Sequence, residues 1–217
     1  MAWISRRMSD CMRLLLLAWF LSGMLPIASA FDPVSRGRSV FIYEDCRSCH
    51  GTDGEGSKQR QAPNIAGRER WYLEMQLRKF RNGVRGAHQE DDAGKIMAPV
   101  SRSLSEQAIS DVASYLASLE LKSNHTLKKG NVQAGQKLYQ NCVACHGAKG
   151  EGNNALKAPK LAGLNDWYVV AQLEKFKSGV RGAHAEDREG AMMRPFAMLL
   201  EDQEAMENLA YYLRSLE

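Results

Sequence analysis

The chain of 217 residues is short of several things at once. Charge of one sign is lacking: 29 Lys and Arg face 25 Asp and Glu, and the formal net charge is only +4. With both signs interspersed, that balance describes a solvated surface and excludes a strongly basic nucleic-acid binder. Long apolar runs are lacking too. The one conspicuous run, Leu14 to Leu25, has 12 residues, short of the roughly 18 to 20 that a membrane span needs. Period-two alternation of apolar and polar residues is absent, which removes the strand-rich classes and leaves an all-α chain. Cysteine is scarce, with five residues at positions 11, 46, 49, 142 and 145.

What is present begins with an export signal. Arg6, Arg7 and Arg13 supply a positive start, the apolar run follows, and Ala28-Ser29-Ala30 gives small residues at a cleavage point. Residues 1–30 are therefore expected to be a signal peptide and Phe31 the mature start. The expected location is the periplasm; an uncleaved N-terminal anchor is the rival reading. The mature chain has 187 residues and a formal charge of +2. Cys11 leaves with the signal, so four cysteines remain. In an exported protein their default fate would be two disulfides.

Self-comparison changes that expectation. At an offset of 96 residues, HGTDGEG (50–56) meets HGAKGEG (146–152), and APNIAG (62–67) meets APKLAG (158–163). WYLEMQLRKFRNGVRGAH (71–88) likewise meets WYVVAQLEKFKSGVRGAH (167–184), and at an offset of 97 ASYLASLE (113–120) meets AYYLRSLE (210–217). The chain is one unit written twice. Domain 1 is expected at 31–121, a polar linker at 122–130 and domain 2 at 131–217. Each unit reads as three main helices with long loops. In domain 1 the first follows Asp32-Pro33, the second spans about Glu69 to Asn82, and the third spans about Ser105 to Leu119. In domain 2 they start near Asn131, Asn165 and Asp202. Units of about 90 residues, rich in loop, bury a modest share of their surface and need something else at their centre.

The repeated motif says what that is. CRSCH (46–50) and CVACH (142–146) are both Cys-x-x-Cys-His, the attachment signature of haem c. Residues three and four apart share one helix face. Cys46 and Cys49 can therefore add to the two vinyl groups of one porphyrin, and Cys142 and Cys145 to those of a second. His50 and His146 then supply an axial imidazole to each iron. A zinc site built from the four thiolates would leave the repeated histidines without purpose. Two covalently attached haem c groups are expected.

Each iron has a sixth position to fill. Of the six methionines in the mature chain, only Met97 and Met193 pair with each other across the repeat. Each stands 47 residues after its histidine and two before a proline, in what reads as a loop free to cross the haem face. His88 and His184 pass the same filter, within identical GVRGAH strings. Methionine opposite histidine gives a higher reduction potential than a second histidine does, so the choice matters. Met192 is the reserve for domain 2. Pro63 and Pro159, 13 residues after each histidine, offer carbonyls that can accept from the other imidazole nitrogen. Arg85 and Arg181 read either as partners of haem propionates or as exposed loop residues.

The ordered set CxxCHGxxGEG, AP-x-[IL]-AG and WY-x-x-x-Q-L-x-K-F-x-x-G-x-R, with a methionine segment and a final helix, in duplicate, resembles the dihaem class I cytochromes c of the cytochrome c4 family. The resemblance covers essentially all of the mature chain. It implies two class I cytochrome c domains about a pseudo-twofold axis, with ligand pairs His50/Met97 and His146/Met193. It implies a periplasmic electron carrier rather than an enzyme, moving electrons from a donor such as a bc-type quinol–cytochrome c reductase to a terminal oxidase, with possible association at the membrane surface. The haem-attachment machinery is a further partner during maturation. The alternatives are the cytochrome subunit of a periplasmic dehydrogenase complex and a dihaem enzyme such as a peroxidase. The repeated GVRGAH departs from the family pattern.

Overall fold

The computed structural model describes residues 32–216; the expected signal peptide lies outside them. Among the described residues there are ten helices and no strand, only two isolated bridges, Ser57 with Ala62 and Asn153 with Ala158. The first set is α1 (Pro33–Tyr43), α2 (Cys46–His50), α3 (Arg70–Arg81), α4 (Asp92–Ser103) and α5 (Glu106–Ser118). The second is α6 (Val132–Tyr139), α7 (Val143–His146), α8 (Asp166–Ser178), α9 (Arg188–Met198) and α10 (Gln203–Arg214).

Three helices per unit was therefore an undercount. The cysteine motifs form short helices of their own, and α4 and α9 occupy the stretches read as methionine loops. The reason is local. Asp91 and Asp187 cap these helices, each accepting from the backbone N–H of a glycine three residues on, Gly94 and Gly190, at 3.2 Å. Gly94 and Gly190 at the start and Pro99 and Pro195 within blur the helical period, so the sequence pattern reads as loop.

The other starts follow ordinary capping chemistry. Asp32 accepts from Ser35 N–H, Ser105 from Ala108, Asn131 from Ala134 and Asp202 from Ala205. Gly83, at φ 74°, turns the chain out of α3.

Each unit is built on a crossing of its first and last long helices, α1 on α5 and α6 on α10. The crossings are close because each has a glycine at the contact. A methyl group on Gly37 would fall on the Asp111 carbonyl, and one on Gly135 on the Asn208 carbonyl. In domain 1 an ion pair locks the crossing. Arg36 Nε and Nη2 each reach a different carboxylate oxygen of buried Asp111 at 2.7 Å, the bidentate geometry that makes such pairs strong. The cores are small. Phe41, Leu73, Val112, Ala113 and Leu116 form one; Tyr139, Leu173, Phe176, Met206, Leu209 and Leu213 belong to the other.

The units pack on each other through reciprocal polar contacts. Lys79 Nζ lies 2.5 Å from Asp187 and from Glu189, and Lys175 Nζ lies 2.5 Å from Asp91. This explains a difference on α3. Its buried residues are Leu73, Gln76, Lys79 and Phe80, whereas the apolar Trp71, Met75 and Leu77 are only half-buried. Gln76 and Lys79 are buried because the other domain covers them. The segment 122–130 is pinned rather than loose: Asp166 accepts from the N–H groups of Thr126 and Leu127, at 2.9 Å for each shortest contact.

Gly37→Ala and Gly135→Ala should each cost roughly 1–3 kcal/mol, as overpacking at a close contact does, read as a lower Tm in thermal unfolding followed by circular dichroism. Asp111→Asn should cost about 1.5–3 kcal/mol near neutral pH through its charged hydrogen bonds. Arg36 holds the Asp111 carboxyl below its usual 3.8. The unfolded chain therefore binds this proton first as pH falls, so the stabilisation is complete above about pH 4 and is lost on acidification. A Tm-against-pH series should show a shallower acid slope for Asp111→Asn than for the parent.

Candidate haem sites

Helix α7 with its N-cap residue, and the loop after it, present Cys142, Cys145, His146 and Pro159 to one cavity. Helix α9 brings Met193 to the same cavity, and Leu173, Phe176, Leu209 and Leu213 give it an apolar wall. Met193 is half-buried and packs on the core of domain 2. Met192 also reaches this cavity, yet it is 59% exposed. The cavity does not end at the domain boundary: Tyr72, Met75, Gln76 and Lys79 of domain 1 line it too.

His146 is 4% exposed. Its Nδ1 lies 2.8 Å from the Pro159 carbonyl oxygen, so that nitrogen carries the proton and donates. Its Nε2 is buried without a hydrogen-bond partner. A buried imidazole nitrogen with a free lone pair, two adjacent thiols and a thioether facing one apolar cavity fit a haem held by both cysteines with iron at Nε2. In domain 1 His50 is also buried, its Nδ1 is 2.8 Å from the Pro63 carbonyl oxygen, and Met97 stands half-buried on α4 at the position matching Met193. Burial pushes the pKa of both rings down, partly offset by the proline carbonyls and, for His146, by Glu69. Before attachment, burial also pushes the Cys46 and Cys142 thiols up to about 11.

His88 and His184 stand elsewhere. Both are exposed, and each accepts through Nδ1 from a backbone N–H two residues on, Glu90 and Glu186, at 3.2 Å. Neither lines the cavity around His146.

Arg85 and Arg181 are not exposed loop residues; they are 7% and 6% exposed at the domain interface. Arg85 Nη1 donates to Gln76 Oε1 at 2.6 Å and Arg181 Nη1 to Gln172 Oε1 at 2.7 Å. Each reaches the other domain's glutamine as well, at 3.3 and 3.4 Å. Each guanidinium lies 4.3 Å from a phenylalanine ring, Phe80 or Phe176. Both Nε–H groups are buried without a partner.

Sequence reasoning missed a second ring of cross-domain contacts. Asn64 N–H donates to Asn165 Oδ1 at 2.6 Å, and Asn64 Nδ2 to the Gly163 carbonyl at 2.6 Å. Lys160 N–H donates to Glu69 Oε1 at 2.6 Å, and Arg68 Nη2 to the Gly163 carbonyl at 2.6 Å. The available signal was the repeat itself: Glu69 aligns with Asn165, and Asn64 with Lys160. These positions directly follow the prolines or precede the central helices.

Among the described residues no helix is long and apolar enough to cross a membrane. The cytochrome c family profile matches residues 34–120 and again 132–217. The chain is similar to cytochrome c4 of Azotobacter vinelandii, 29% identical over 205 residues, covering 89% of this chain and 94% of that protein. It is similar to cytochrome c4 of Stutzerimonas stutzeri, 30% identical over 190 residues, with 79% and 84% covered. It is also similar to the thiosulfate dehydrogenase electron acceptor of Stutzerimonas stutzeri (strain A1501), 28% identical over 178 residues, with 77% of each covered. The crystal structure of reduced cytochrome c4 from Pseudomonas stutzeri superposes with a TM-score of 0.67 at 27% identity, over 85% of this chain and 98% of that one. Two cytochrome c domains, two Cys-x-x-Cys-His motifs and these likenesses together make the chain a member of the cytochrome c family, a dihaem electron carrier of the cytochrome c4 kind with two covalently bound haem c groups.

Proposed function

We propose that the protein is exported by residues 1–30 and works in the periplasm as a carrier between respiratory complexes, taking electrons from a bc-type quinol–cytochrome c reductase and giving them to a terminal oxidase. Its working parts are domain 1 (31–121) and domain 2 (131–217), joined by residues 122–130. His50 and Met97 ligate the first iron, and His146 and Met193 the second. When bound, each haem supplies a one-electron couple. The chain's own residues hold the iron ligands, exclude water from one face and set the potential. The observation that carries this reading is the shared cavity of His146 and Met193, with the His146 Nε2 lone pair unused within it. With a histidine and a methionine to hold each iron, neither iron would have a place left for substrate.

Around its methionine helix domain 2 also exposes more apolar side chains, two of which, Met192 and Phe196, line the cavity itself. On α9 and just after it, Met192, Phe196, Met198 and Leu199 are exposed by 41–61%. The matching positions in domain 1 are Ile96, Val100, Arg102 and Ser103. An exposed apolar patch beside a redox centre suits a transient partner. The second reading, an electron acceptor for a periplasmic dehydrogenase, is favoured by the relative that bears that name.

The purified oxidised protein should show two haems per chain and a full-strength sulfur-to-iron charge-transfer band for both. Met97→His and Met193→His should each remove half of that band and lower one reduction potential. A parent protein with half the band or none would sink the ligand assignment. Steady-state turnover of peroxide or thiosulfate by the protein alone would sink the carrier reading. Rapid reduction by a thiosulfate-oxidising partner, with slow reduction by a quinol–cytochrome c reductase, would move the dehydrogenase reading ahead.

A further inference from the structure

In each domain one peptide group stands between the histidine and the other domain. The Pro159 carbonyl and the Lys160 N–H belong to a single peptide unit. Its oxygen lies 2.8 Å from His146 Nδ1, and its N–H donates to Glu69 Oε1 at 2.6 Å. The matching unit in domain 1 joins Pro63 to Asn64. Its oxygen lies 2.8 Å from His50 Nδ1, and its N–H donates to Asn165 Oδ1 at 2.6 Å. Four distances agree pairwise across the pseudo-twofold relation. The chemistry at the far end does not: domain 2's peptide ends on a carboxylate, and domain 1's peptide ends on a neutral amide.

Hydrogen bonds in series polarise one another. A negative group accepting from a peptide N–H makes that peptide's carbonyl a better acceptor. The imidazole that donates to it becomes more electron-rich and a more basic iron ligand. An electron-rich ligand and a nearby negative charge both favour ferric over ferrous iron, because the ferric form carries one more positive charge. We propose that Glu69 is a cross-domain positioning residue that lowers the reduction potential of the haem in domain 2 relative to that in domain 1, acting through the Pro159–Lys160 peptide. The proposal rests on His50 and His146 being the axial ligands.

Other unmatched charges stand near this relay. Glu69 is the charged group that acts on the His146 ring, and no charged group acts comparably on His50. Arg68, whose counterpart is Leu164, brings an opposite charge and donates to the Lys160, Ala162 and Gly163 carbonyls at 3.4, 3.1 and 2.6 Å. Lys160, whose counterpart is Asn64, engages the relay through its backbone N–H. Glu189, whose counterpart is Ala93, is a further unmatched carboxylate, and it is held by Lys79 Nζ at 2.5 Å. Glu69 Oε2, by contrast, is buried without a hydrogen-bond partner, so nothing donates to that oxygen.

The test is a redox titration of the full dihaem protein, with the two haems resolved by the hyperfine-shifted NMR signals of their methionine ligands. Glu69→Gln keeps an acceptor for the Lys160 N–H and removes the charge. It should raise the midpoint of the domain 2 haem and leave the domain 1 haem in place, shifting the electron partition between them by roughly threefold or more. Asn165→Asp should do the mirror image, lowering the domain 1 midpoint alone. Glu69→Asp should stay near the parent. Unchanged midpoints in Glu69→Gln, with both charge-transfer bands intact, would overturn the proposal; so would equal shifts of both haems. Should Glu69→Gln fail to accumulate, Asn165→Asp decides alone, and an unmoved domain 1 midpoint would count against the relay. Absent bands in the parent would instead overturn the ligand assignment, which keeps the two failures apart.

Discussion

The structure hangs on a peptide group with both ends occupied. An axial histidine must point one ring nitrogen at iron, so the other must be tied down. Here a proline carbonyl accepts from it, at 2.8 Å in both domains. The same peptide's N–H would be an orphan in a buried loop. It is satisfied from the other domain, by Glu69 or Asn165. Ligand orientation in one half is thereby tied to docking of the other half, and the interface is part of each redox site.

The interface chemistry fits that role. Asn64 and Asn165 are 2% and 0% exposed and exchange hydrogen bonds across it, at 2.6 and 3.3 Å. Two arginines are buried against each other's glutamines. Lys79 and Lys175 reach across to Asp187 and Asp91. Breaking a buried pair by removing one partner leaves an uncompensated charge, which costs far more than the pair contributes. Such contacts therefore hold one arrangement against alternatives more than they add net stability. A carrier gains from that: two haems whose relative placement is constant exchange electrons at a constant rate.

Much of this was legible in the sequence. The offset of 96 residues disclosed two units, and Cys-x-x-Cys-His disclosed what sits at the centre of each. The second and third long helices expected in domain 1 were readable near Glu69 and Ser105, because helix period is a local signal and Ser105 is a cap. The helical state of Met97 and Met193 was not, since Gly94, Pro99, Gly190 and Pro195 mask the period, while the caps Asp91 and Asp187 are also interface residues. Burial of Arg85 and Arg181 was illegible for another reason. It depends on how two domains meet, and no window of one strand of sequence encodes that.

The repeat informs most where it fails. Positions that stay alike, such as His50 with His146 or Lys79 with Lys175, are those that each domain needs for itself or for a symmetric contact. Positions that differ and still occupy equivalent places in the structure are where the halves can acquire separate properties. Glu69 and Asn165 make the same hydrogen bond to equivalent peptide units; Asn165 also donates through Nδ2 to the Asn124 carbonyl at 3.1 Å, which a carboxylate could not do, whereas that shared contact does not demand the charge of Glu69. Glu189 and Ala93 differ likewise, but there the extra carboxylate has gained an extra bond to Lys79, which is reason enough for it structurally. The Glu69 carboxylate keeps one buried oxygen with no bond at all. A group held at that cost, at a place where a neutral amide makes the same contact in the other half, is there for its charge.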